Sequence, residues 1–146
     1  MSTILVADDE KTVRSLLRDV LEIEGYHVVE AADGPEALYQ LHRGGVDLIL
    51  LDVMMPGMSG IEVLTEIRSD VEFGRMPVLM LTAAGDDTTT WAGLTAGADV
   101  YLEMPFDHLG LLTWIERLLA LDDQAPLATA IGLVALLSVC ILDPIC

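Results

Sequence analysis

Short apolar runs alternate along this chain with stretches in which apolar residues return every three or four positions, from residue 4 to residue 121. Ile4-Leu5-Val6-Ala7 and Leu48-Ile49-Leu50-Leu51 contain no polar residue. A strand covered on both faces reads that way, whereas a half-exposed strand alternates. His27-Val28-Val29-Glu30-Ala31, Val78-Leu79-Met80-Leu81 and Asp99-Val100-Tyr101-Leu102 predict three further strands. Between the first two lies a helix over residues 11–24, with Val13, Leu16, Leu17, Val20 and Leu21 on one face and Gly25 as its stop. Asp33-Gly34-Pro35 opens a second helix reaching His42, with Pro in its first turn. Ile61, Val63, Leu64 and Ile67 mark a third. A fourth, after Asp86-Asp87, is weakly specified because Thr88-Thr89-Thr90 and Gly93 are poor helix formers. A fifth spans residues 107–121, with Leu111, Leu112, Ile115, Leu118 and Leu119 facing inward.

Five strands separated by helix-length crossovers predict an α/β domain with a doubly wound, five-stranded parallel sheet and five helices. Strand order 2-1-3-4-5, the flavodoxin-like arrangement, sets the first and third strands side by side and opens a crevice at their carboxyl ends. The polar groups collect at that end. Asp8 and Asp9 follow the first strand, Asp52 ends the third, and Thr82 follows the fourth. The predicted organisation is a domain over residues 1–121, a linker over 122–126 and a hydrophobic tail helix over 127–142.

Composition narrows the function. The formal charge is −17, from 24 acidic against 7 basic residues, and Lys11 is the sole lysine. The basic residues form no cluster, so a nucleic-acid surface is excluded from the expectation. Cys140 and Cys146 form no ligand-spaced set, and the start of the chain has no signal-peptide pattern, so a reducing, cytoplasmic setting is expected. The tail holds sixteen uncharged residues, 127–142. A spanning helix needs about twenty, with a lower limit of roughly 17, and the acidic flanks Asp122-Asp123 and Asp143 supply no orienting positive charge. Three readings stay open: a membrane anchor tethering the protein, an apolar helix packed on the domain or on a second copy, or a reading-frame artefact.

Carboxylates pressed into one crevice repel one another, and a hard divalent cation relieves that repulsion. Mg²⁺ suits an all-oxygen donor set and keeps positions for water and a phosphoryl oxygen. Beside such an ion a carboxylate can act as nucleophile toward an activated phosphoryl group, giving an acyl phosphate. Asp52, alone on its strand, fits that role, and the Thr82 hydroxyl is placed to donate to a phosphoryl oxygen. A Mg²⁺-dependent phosphohydrolase is disfavoured, because Met54 stands where a second acid would be wanted.

The segments I-L-V-A-D-D-E, L-I-L-L-D-V-M-M-P-G-M-S-G, P-V-L-M-L-T-A and A-G-A-D-V-Y-L-E-M-P-F, in this order and spacing over residues 3–121, resemble the response-regulator receiver domains of two-component signalling. The resemblance implies that Asp8, Asp9 and Asp52 hold Mg²⁺ and that Asp52 accepts phosphate from a histidine kinase or phosphotransfer protein. It further implies that Thr82 is the switch hydroxyl, Tyr101 the switch aromatic, and that a downstream protein docks on the fourth helix, fifth strand and fifth helix. Neither enzymatic activity beyond self-phosphorylation and dephosphorylation nor an output domain is expected. One position departs: Met104 stands where the family carries a lysine before Pro-Phe. A thioether cannot neutralise phosphoryl charge, so phosphorylation is expected to be slow or uncoupled from the switch. The alternative is a degenerate receiver that docks partners without phosphorylation.

Overall fold

The computed structural model describes residues 1–83, 97–105 and 107–122. Strands β1 (Thr3–Ala7), β2 (His27–Ala31), β3 (Leu48–Asp52), β4 (Val78–Ala83) and β5 (Val100–Met104) form one sheet in the order β2-β1-β3-β4-β5. All four pairings are parallel. The helices among the described residues are α1 (Lys11–Ile23), α2 (Gly34–His42), α3 (Gly60–Ser69) and α4 (His108–Asp122). The last is the fifth helix of the sequence reading. The helix expected after Asp86-Asp87 and the tail at 127–142 lie outside the described residues.

The apolar runs are continuous because the sheet is covered twice. Even-numbered residues of β1 and β3, Ile4, Val6, Leu48 and Leu50, pack against Leu17 and Leu21 of α1 and Leu111, Ile115 and Leu118 of α4. Their odd-numbered neighbours, Leu5, Ala7, Ile49 and Leu51, pack against Ala37 and Leu41 of α2 and Val63, Leu64 and Ile67 of α3. Side chains alternate across a strand, so each run feeds both cores. Gly25 closes α1 with a φ of +93°, a conformation L side chains rarely adopt.

Three sequence expectations change. Strand β5 runs on through Glu103 and Met104, which were read as the loop beyond it, because β4 also extends and supplies partners in the pairs Thr82 with Glu103 and Ala83 with Met104. Leu16, read as part of the buried face of α1, is 51 % exposed, so the stripe narrows to Leu17 and Leu21 with flanking Val13. At its start α1 has Glu10 as N-cap, with no side-chain capping hydrogen bond. The sequence ending of α1 at Glu24 also moves, since Glu24 is its C-cap. Among the described residues, no helix is long and apolar enough to cross a membrane.

Candidate functional site

Asp8 and Asp9 leave the carboxyl end of β1, and Asp52 is the last residue of β3 beside it. Carboxylate oxygens of the three lie within 4.8 Å of one another. They differ in access: Asp8 is 4 % exposed, Asp52 is half-buried and Asp9 faces solvent. One Asp8 oxygen accepts a hydrogen bond from the Glu10 amide at 2.9 Å, and one Asp52 oxygen accepts from the Met54 amide at 3.2 Å. Those bonds orient the carboxylates without neutralising them. Among the described residues no arginine, lysine or histidine forms an ion pair with any of the three.

The electrostatic consequence is large. Burial first, and the neighbouring Asp8 charge second, push the Asp52 carboxyl up to about 7, against the pull of the Met54 amide. Asp8 is also raised, mainly by burial and further by Asp9 and Glu10, while the Glu10 amide opposes the shift. A site that keeps three carboxylates together at this cost suits a hard cation. The donor set is all oxygen, the separations allow one ion to bridge all three residues, and the exposed side of Asp9 leaves an entrance.

The loop after β3 is held from below. Ser59 caps α3 by accepting from the Glu62 amide at 3.3 Å, and Glu62 accepts from the Ser59 amide at 3.2 Å. The Gly60 amide then donates to the Val53 carbonyl at 2.9 Å. A Cβ on Gly60 would overlap the Asp52 carbonyl oxygen and lie 2.9 Å from Val53 Cα, so the start of α3 sits directly on the peptide that carries Asp52.

The other sequence-predicted residues occupy neighbouring positions at the same sheet end. Asp52 pairs with Leu81, which puts Thr82 one residue further along the adjacent strand, 2 % exposed. Tyr101 pairs with Met80, one residue short of Asp52 and two strands away, and packs partly buried on the core beneath α2 and α3. It is outside the carboxylate cluster. Met104 lies two strands from Asp52 and two residues beyond its level, on the strand face shared with Asp8 and Asp52. With about 4.8 Å between strands, only a long side chain reaches back from there to the carboxylates.

Residue reasoning missed Arg14. From α1 its Nη1 donates to the Asp8 carbonyl at 2.7 Å, and its Nε donates to Glu30 of β2 at 3.3 Å. The one available signal was Glu30 itself, an acid inside an otherwise apolar edge strand, facing a helix with arginines at positions 14 and 18.

The family model for the response regulator receiver domain matches residues 4–116. The chain belongs to that family. Among relatives of this receiver domain, the transcriptional regulatory protein CpxR of Klebsiella pneumoniae is 44 % identical over 119 residues, covering 82 % of this chain and 50 % of that protein. The transcriptional regulatory protein ResD of Bacillus subtilis is 44 % identical over 121 residues, covering 83 % and 49 %. The receiver domain therefore spans about half the length of these curated relatives. Among solved structures, the chemotaxis response regulator CheY4 of Vibrio cholerae superposes with a TM-score of 0.76 at 34 % identity, covering 81 % of this chain and 98 % of that one. Receiver domains work with histidine kinases or phosphotransfer proteins and generally bind Mg²⁺ in an acidic pocket; Asp8, Asp9 and Asp52 form an acidic group that could hold such an ion.

Proposed function

We propose that this receiver domain takes a phosphoryl group on Asp52 from a phosphohistidine donor and signals through protein contacts. The observation that carries the reading is the convergence of Asp8, Asp9 and Asp52 within 4.8 Å at the ends of two adjacent parallel strands. Asp8, Asp9 and Asp52 would hold Mg²⁺, which when bound offsets their repulsion and the charge of the incoming phosphoryl group. Asp52, held by the Met54 amide at one oxygen, presents the other to phosphorus. The new O–P bond forms as the N–P bond of the donor breaks, and the donor imidazole leaves. Thr82 donates its hydroxyl to a phosphoryl oxygen, and Tyr101 reports the change at β5. The partner surface comprises the segment after β4 in which the sequence predicts a helix, which lies outside the described residues, together with β5 and α4.

Met104 favours a second reading, a docking module that keeps the fold and acidic pocket without a phosphorylation switch. A missing electrostatic partner typically costs roughly 10²–10³ in the rate of the step it stabilises. Intact mass after exposure to a small-molecule phosphodonor and Mg²⁺ separates the two. The phosphorylation reading expects one phosphoryl group on the native chain, none on Asp52→Asn, and labelling at least about tenfold faster on Met104→Lys. A native chain that stays unlabelled while Met104→Lys takes the label supports the docking module instead.

A further inference from the structure

We propose that Arg14 is a positioning residue for the acidic pocket: by holding the Asp8 main-chain carbonyl, it fixes the direction from which the Asp8 carboxylate enters the cation site. This rests on the cation-site reading above. Asp8 stands one residue beyond the end of β1, where the sheet no longer dictates its peptide geometry. Its amide is still tied to β2, donating to the Ala31 carbonyl at 3.1 Å. Its carbonyl accepts from Arg14 Nη1 at 2.7 Å, and Arg14 is in turn held by Glu30, the residue before Ala31 on β2. One edge strand thus anchors the Asp8 residue at both ends, directly through Ala31 and indirectly through Glu30 and Arg14.

Arginine suits this task because its guanidinium is planar and always charged, so engaging Nε and Nη1 together sets the whole plane. The side chain is 13 % exposed, which limits alternative conformers. Glu30 is kept in place from its other oxygen by Arg18, whose own Nε pairs with Glu22 at 2.7 Å. The Arg14 guanidinium is engaged with a carbonyl and with Glu30 rather than with Asp8, Asp9 or Asp52 side chains. Its action is geometric, delivered through the Asp8 backbone. With the peptide fixed and one carboxylate oxygen held by the Glu10 amide, little rotational freedom remains to be lost when a ligand binds, which is how outer-shell partners tighten a metal site.

Calorimetric Mg²⁺ titration of the native chain, Arg14→Ala, Arg14→Lys and Arg75→Ala tests this, with melting curves in EDTA run beside it. Arg14→Ala should weaken Mg²⁺ binding by roughly tenfold or more, while Arg75→Ala, which removes the same charge from an exposed position outside this network, should stay within about twofold of native. Arg14→Lys should fall between, because an ammonium lacks the planar fork that fixes the directions of both bonds at once. A purely structural role would lower the melting temperature in EDTA and leave the Mg²⁺ Kd unchanged, which overturns the proposal. Should Arg14→Ala fail to fold, Arg14→Lys decides: a native Kd overturns the positioning role. A native chain that binds no Mg²⁺ defeats the cation-site reading itself and this proposal with it.

Discussion

As the proposed phosphoryl acceptor, Asp52 carries two opposed demands in one side chain: it must be buried enough to be held in a fixed direction, and charged enough to attack phosphorus. Its carboxyl is pushed up to about 7 by burial and by Asp8, so the metal-free protein is destabilised by ionising it. Because the folded value lies above the unfolded one, the favourable contribution is fully present below about pH 4 and is lost as pH rises through about 7. In EDTA at pH 8, Asp52→Asn should therefore melt higher than the native chain by at least about 4 °C, with the gain shrinking steadily toward pH 5. A gain that grows on acidification would show that the Asp52 charge is already compensated. At this scale the three carboxylates were legible, since an apolar run that ends on an acid places it at a strand end. Arg14 was not, because its partner is a main-chain carbonyl, and nothing in a residue string records which carbonyl a side chain meets. Leu16 misled for a related reason: spacing gives a helix face, but only the neighbouring layer decides how wide a stripe is covered.

The unit formed by β3, its following loop and α3 couples Asp52 to the packing of a helix. Gly60 is the first residue of α3, and any side chain there meets the Asp52 carbonyl and Val53 Cα. Gly60→Ala should push α3 off the end of β3, costing about 2 kcal/mol or more of stability. It should also slow phosphodonor labelling, because Asp52 moves with its peptide. Circular-dichroism melts and labelling rates on the same preparation check both, and a stable variant with native labelling would show that the contact is easily relaxed. The Met55 side chain, buried in the α2 and α3 core, holds the loop from the other side. Element identity was clear from the sequence, while element ends were less so. Strands β4 and β5 lengthen each other through the pairs at Thr82 and Ala83, and a mutual extension of that kind depends on both partners at once.

At the scale of the whole molecule, the described residues build a sheet whose two covered faces are made by alternation and whose carboxyl edge gathers acids from strands that are distant in sequence. Helix-length crossovers implied a parallel sheet, and the flavodoxin-like order β2-β1-β3-β4-β5, expected as one that brings the polar ends of the first and third strands together, is the order found. With a net charge of −17 and one lysine, the chain offers little internal compensation for the pocket. Mg²⁺ should stabilise it through preferential binding to the folded state, by about 2.7 kcal/mol at a hundredfold excess over Kd. Millimolar Mg²⁺ should accordingly raise the melting temperature of the native chain and leave that of Asp52→Asn much less changed; equal shifts in both would place the ion elsewhere.

Trypsin offers the most direct test of the acceptor, since no lysine or arginine lies between Arg43 and Arg68. Residues 44–68 leave as one peptide containing Asp52, whereas Asp8 and Asp9 leave in another. The native chain would be exposed to a small-molecule phosphodonor with Mg²⁺ or with EDTA, the acyl phosphate trapped by reduction, and the digest mapped by mass spectrometry. The account predicts modification in peptide 44–68 alone, at Asp52, and only with Mg²⁺. Modification at any other residue, or labelling at Asp52 that is indifferent to Mg²⁺, would contradict it.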